Sequence, residues 1–152
     1  MTDKPGVIIL PPVLYGVGLL VVLAARWSWP LPIADSSLPF WLGISLLAVG
    51  GAFGIWGQML MSAAGTNVSP ALPTTSVVMR GPFRISRNPL YLALNFLFLG
   101  LTLAMNSWWG VVALAVLLPV MHFGVVLREE RYLERKFGES YLSYKARVRR
   151  YL

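Results

Sequence analysis

The sequence predicts an all-α, polytopic membrane protein of about four transmembrane helices, with a cytoplasmic amphipathic helix at its C-terminus. Three observations carry that reading. Hydrophobic residues fill 57% of the 152 positions and charged residues 12%, about half of the roughly 25% expected of a soluble domain. Four apolar stretches, Val7 to Ala25, Phe40 to Ala64, Pro89 to Met105 and Ser107 to Leu127, each come close to the roughly 20 residues that cross hydrocarbon. Once these are threaded through a bilayer, every Lys and Arg except Arg26 falls on one side.

The first stretch is broken by Pro11-Pro12 and followed by Ala24-Ala25, which faintly resembles a signal-peptide cleavage site; a retained helix is the expected outcome. The second carries Gly43, Gly50, Gly51, Gly54 and Gly57. Its Gly50 to Gly54 spacing invites close approach by another helix, whereas a phosphate loop would need a preceding strand and a different glycine spacing. The third and fourth stretches are linked only through Asn106-Ser107, so those helices are expected to pack antiparallel. Trp27, Trp29, Trp41, Trp108 and Trp109 lie at span ends, where amphipathic rings favour the headgroup level. By the positive-inside rule the protein is expected to be multi-pass in the cell's inner (plasma) membrane, with both termini and the loop from Gly65 to Asn88 cytoplasmic. Residues 1–64 then form a pair of N-terminal transmembrane helices, and residues 65–152 a core that carries the chemistry.

The formal charge of +7 sits beside apolar spans, which points to anionic lipid headgroups and away from nucleic acid. With no cysteine, thiolate ligands, disulfides and a cysteine nucleophile are excluded, and a single histidine, His122, argues against a zinc centre. Two aqueous segments remain for function. In the loop, Pro89 suits the first turn of the third helix, which sets Arg87 and Asn88 at a helix mouth that favours an anionic group. Plain interfacial anchoring by arginines is the other reading. In the tail, Glu130 stacks with Glu134 and Arg131 with Arg135 at fourfold spacing. A self-paired solvated helix would alternate signs, so this segregation suggests external partners for each stripe. Gly138 is a plausible helix stop. Beyond it, Tyr141, Tyr144 and Val148 share a helix face amid basic residues, and this segment is expected to lie on the membrane surface or to close over the loop, two readings that can hold together. His122 and Asn95 are polar groups inside spans, where such groups need partners and often mark pathways; for His122 a hydrogen bond between helices is the preferred role.

From Gly65 to Leu152 the chain resembles the isoprenylcysteine carboxyl methyltransferase family, which also takes in phospholipid N-methyltransferases. Three blocks in order carry the resemblance: Val77-Val78-Met79-Arg80-Gly81 running to Arg87-Asn88-Pro89-Leu90-Tyr91; the pair Glu129-Glu130; and Phe137-Gly138 with Tyr141 and Tyr144. Family histidines fall at Thr75 and Asn88, so a hydroxyl and an amide would have to replace them. The resemblance implies S-adenosylmethionine bound on the cytoplasmic side, between the loop and the glutamate-bearing tail. Thr75, Val77, Val78, Gly81, Arg87, Asn88, Pro89, Tyr91, Glu129, Glu130 and Tyr141 are the expected cofactor contacts. Arg87, Glu129 and Glu130 are the expected catalytic residues, and no metal is called for.

What it implies chemically is in-line methyl transfer to a lipid-like prenyl or acyl acceptor that enters from the membrane, with proximity supplying most of the acceleration. Val77, Val78 and Gly81 would let the backbone approach the adenosine. The two glutamates, about 100° apart on one helix, would serve different atoms. Two other classes stay open: a non-enzymatic module binding anionic lipid or a partner protein, and a nicotinamide-dependent reductase of the related sterol reductase group.

Overall fold

The computed structural model describes residues 4–152, so the first three residues of the expected N-terminal unit lie outside the description. The described residues are helical without any strand: α1 (Pro11–Ser28), α2 (Leu38–Ala63), α3 (Pro89–Ala104), α4 (Trp108–Met121), α5 (Leu127–Phe137) and α6 (Glu139–Arg147). Short turns of tighter and wider helix, Gly81–Arg84 and His122–Val126, precede α3 and join α4 to α5. Three rods are long and apolar enough to cross a membrane: α1, α2, and the continuous 30-residue rod Trp108–Phe137. The shorter apolar α3, at 16 residues, rises about 24 Å, somewhat less than the hydrocarbon core.

Helix α1 starts at Pro11, four residues later than hydropathy suggests. Prolines lack an N–H and fix φ, so Pro11 and Pro12 fit a first turn and would break an interior. The preceding Ile8 instead donates its N–H to the Gly124 carbonyl, 3.2 Å away. Tyr15 and Val22 turn inward with Phe98, Leu117, Met121 and Val125 to make the core. The Tyr15 hydroxyl donates to Asn95 Oδ1, which joins α1 to α3.

The closest helix pair is α2 with α3. Gly43, Gly50 and Gly57 recur every seven residues and are all buried on that face. A Cβ on Gly50 would lie 2.9 Å from Phe96 Cβ and 3.1 Å from the Ala93 carbonyl oxygen. The close approach foreseen at Gly50 and Gly54 is therefore present, and it extends along the whole contact. Helices α3 and α4 fold back on each other across Met105-Asn106-Ser107, with Asn106 at φ +52. Its side chain accepts from the Ile33 and Ala34 amides and donates to the Ala34 carbonyl, tying the α1–α2 loop to this turn.

All five tryptophans read as interfacial lie at this end of the bundle, since they occupy the C-terminus of α1 and the N-termini of α2 and α4. They mark one interface, not both. Arg26 is here too, donating to the Met105 carbonyl. The basic loop and tail are at the opposite end. There the α4 rod passes Pro119 and, from His122, widens into a π-helical turn. Such a turn inserts one residue and rotates the rest of the rod by about 100°, which helps set the direction in which Glu129 and Glu130 face.

Candidate active site

The loop before α3 folds on itself. Gly65 takes φ +65, and the buried Thr66 hydroxyl accepts from the Thr75 and Ser76 amides at 3.1 and 3.4 Å. Ser76 and Thr75 return their own hydroxyls to the carbonyls of Ala64 and Gly65. Gly81, at φ +60, starts the turn that carries Phe83 inward. The α3 mouth comes next: the Asn88 carbonyl accepts from the Tyr91 and Leu92 amides, and Ser86 Oγ accepts from the Asn88 amide at 3.1 Å.

Between this loop, the mouth of α3, α5 and α6 lies a cleft. Its walls are aliphatic and aromatic (Met61, Val68, Val77, Val78, Phe83, Leu133), and it also includes Arg87, Asn88, Pro89, Tyr91, Glu129, Glu130, Tyr141 and Tyr144. Glu130, only 4% exposed, is its electrostatic centre. Arg87 Nη1 lies 3.0 Å from Glu130 Oε1, and Arg150 grips the same carboxylate with Nε and Nη2, both at 2.9 Å. Arg87 pairs with Glu130 by distance, yet its buried Nε and Nη1 have no acceptor in line with their N–H bonds. Buried donors without an aligned acceptor are costly, and the Glu130 charge beside them offsets part of that cost.

Glu129 points elsewhere, as the 100° separation requires. Its Oε2 accepts from the Tyr91 hydroxyl at 2.6 Å. Tyr141 faces Arg87; burial and then the Glu130 charge push its hydroxyl up to about 12, against the pull of Arg87, so it stays a neutral phenol. Tyr144 donates to the Phe83 carbonyl at 2.7 Å and fastens α6 over the loop.

The profile of the phospholipid methyltransferase family matches residues 38–140, from the start of α2 to the first turn of α6. The chain belongs to that family. It is also similar to an uncharacterized protein of Haemophilus influenzae, with 39% identity over 66 residues, a stretch covering 41% of this chain and the whole of that one. No solved structure matches.

Within this phospholipid methyltransferase family member, the cleft brings together Val77, Val78, Arg87, Asn88, Pro89, Tyr91, Glu129, Glu130 and Tyr141 from the sequence reading. Thr75 and Gly81 do not line it. The Thr75 hydroxyl is spent on the Gly65 carbonyl at 2.8 Å, while its neighbours Thr74 and Ser76 face the cleft. Gly81 is required by packing: a Cβ there would sit 2.3 Å from Leu60 Cδ1 and 3.1 Å from the Trp56 ring. Nor does the α3 mouth present open donors, because the Arg87 amide takes the Arg149 carbonyl at 2.9 Å and the Asn88 side-chain amide takes the Arg150 carbonyl at 3.0 Å.

The stacked glutamates find partners inside the chain, not outside it. Glu130 meets Arg87 and Arg150, and Glu134 meets Lys145. Helix α6 closes over the loop, the second of the two readings of that segment. His122 bonds through Nδ1 to the Tyr151 hydroxyl at 2.8 Å, so its partner is the C-terminal segment and not another helix. Arg150 is the site residue that sequence reasoning missed altogether. It lies outside every block of the resemblance, and its only mark in the sequence is membership of a basic run.

Proposed function

We propose that this family member transfers a methyl group from S-adenosylmethionine to a lipid-like acceptor at the cytoplasmic face of the inner membrane, with both termini cytoplasmic. The observation that carries the reading is a polar, charge-paired cleft that shares Val68, Leu90 and Tyr91 with an apolar groove between α1 and α2. The groove has Gly50, Gly51 and Gly54 along one side and Ala93, Leu94 and Leu97 along another. A hydrocarbon chain in the groove would bring its polar end to Tyr91 and Glu129.

The cofactor's chemistry is an electrophilic methyl on a sulfonium sulfur. The cleft suits its amino-acid end: the Arg87 guanidinium matches a carboxylate, and Glu130 matches an ammonium group. Val77, Val78 and Phe83 offer apolar wall for an adenine. In-line displacement needs chiefly orientation and exclusion of water, which rigid walls supply. Where the acceptor is an amine, Glu129 takes its proton.

Calorimetric titration of detergent-purified protein with S-adenosylmethionine, S-adenosylhomocysteine and NADPH tests the reading. Binding of both adenosyl compounds and not of NADPH is the expected result. No heat from either adenosyl compound would overturn it, and binding of NADPH alone would favour the reductase class.

The groove makes a separate prediction. A Cβ on Gly51 meets nothing within 4 Å, so a larger side chain there occupies groove space without disturbing packing. Gly51→Leu should keep the wild-type unfolding temperature and adenosyl affinity while lowering methyl transfer to membrane lipid by at least about tenfold. Gly16, in α1, is equally unobstructed and lies outside the groove, so Gly16→Leu is the matched control. Equal methyl transfer by the two variants would remove the groove from the reaction.

A further inference from the structure

After α6 the chain crosses the mouth of α3 as a strap. The Arg149 carbonyl accepts from the Arg87 amide at 2.9 Å, and the Arg150 carbonyl accepts from Ser86 Oγ and Asn88 Nδ2, both at 3.0 Å. The Arg150 guanidinium holds both Glu130 oxygens, and the Tyr151 hydroxyl reaches His122. The strap thereby uses the same carboxylate and the same helix mouth that a zwitterionic ligand in the cleft would need.

Two cations share Glu130, and they are not equivalent. The Arg87 side chain is 7% exposed and that of Arg150 is 32% exposed. Moving Arg87 would strand a buried charge, whereas Arg150 can swing into water or against headgroups with its ion pair exchanged. The outer face of the strap favours that exchange. Arg147 and Arg149 are exposed, as are Arg80 and Arg84 on the loop and the apolar side chains of Leu142 and Leu152. Basic residues mixed with exposed leucines, at the end of the bundle where the apolar rods stop, form a surface suited to an anionic bilayer.

We propose that residues 148–151 are a charge-operated latch, closed by Arg150 on Glu130 and opened when an anionic lipid surface takes up the basic face of α6 and the strap. This rests on the methyltransferase reading only in naming what gains access: in the closed state Arg150 competes with the cationic end of the adenosyl ligand for Glu130. Opening also frees the Arg87 and Asn88 donors at the α3 mouth. The latch couples access to the cleft with the charge of the membrane that holds the acceptor.

The direct test uses the wild-type chain in nanodiscs and needs no cofactor. Hydrogen exchange at the Arg87 amide, whose acceptor is the strap carbonyl of Arg149, is compared in phosphatidylcholine alone and in phosphatidylcholine mixed with phosphatidylglycerol. With about a fivefold preference per basic residue drawn to the surface, Arg147 and Arg149 together should accelerate exchange by at least about tenfold. The same rate in both bilayers overturns the latch. The second arm measures S-adenosylhomocysteine affinity in neutral nanodiscs. Arg150→Gln should bind about tenfold more tightly than wild type, and phosphatidylglycerol should tighten wild type but not the variant. Weaker or unchanged binding by Arg150→Gln overturns the competition. If no form binds an adenosyl compound, the methyltransferase reading falls and hydrogen exchange alone decides the latch.

Discussion

Glu130→Gln is expected to lower adenosyl affinity by at least about a hundredfold and to lower the unfolding temperature in detergent. The carboxylate is 4% exposed and is shared by Arg87 and Arg150. An amide of the same shape keeps the volume but removes the charge, and turns an NH₂ group toward guanidinium donors. Two cations are then left facing each other around a neutral group, with Arg87 buried. Breaking such a pair from one side costs about 3–5 kcal/mol, part of which Arg150 recovers by moving into solvent. The double variant Glu130→Gln with Arg150→Gln separates the two losses. Removing the second cation should return part of the lost stability, a coupling readable in a double-mutant cycle. Adenosyl binding should stay as weak as in Glu130→Gln, because the proposed site uses Glu130 to meet the ligand's ammonium. Wild-type affinity in Glu130→Gln would place the cofactor elsewhere.

Much of this architecture was legible in the sequence, and the parts that were not share a cause. Apolar runs and one-sided charge reveal spans because a bilayer acts on side-chain composition, which a sequence states directly. The start of α1 at Pro11 and the widened turn after Pro119 escaped, since both depend on which backbone donors are missing and not on hydropathy. Arg87, Glu129, Glu130 and Tyr141, singled out because charges and blocks of motif are visible, all line the cleft. The strap was not legible, because it acts chiefly through the main-chain carbonyls of Arg149 and Arg150, a group every residue carries. Thr75 fell out of the cleft for a similar reason: its hydroxyl was claimed locally by the Gly65 carbonyl, while Thr74 and Ser76 on either side turn inward. The stacked glutamates on α5 were expected to have external partners; that they find Arg87 in the loop and Lys145 and Arg150 in the C-terminal segment is tertiary information.

Gly43 and Gly51 occupy the same helix on different faces, and substitution should affect them oppositely. A Cβ on Gly43 would lie 2.4 Å from the Ala104 nitrogen and 2.5 Å from the Gly100 carbonyl oxygen. Both are backbone atoms, so no rotamer change gives way and α2 must separate from α3. On the other helix, a Cβ at Gly100 would in turn meet the Gly43 carbonyl oxygen at 2.8 Å. Without a hydrophobic force between helices in lipid, their association depends on such close packing. Gly43→Val should therefore cost about 3 kcal/mol or more and lower the unfolding temperature sharply. The cleft should suffer with it, because Gly57 packs on Leu90 at the mouth of α3 and the same two helices carry both contacts. Gly51→Leu adds a larger side chain and should leave the unfolding temperature unchanged. Equal destabilisation by the two would mean that the residue type in α2, and not the α2–α3 contact, sets stability; an undisturbed Gly43→Val would contradict the close packing of α2 on α3.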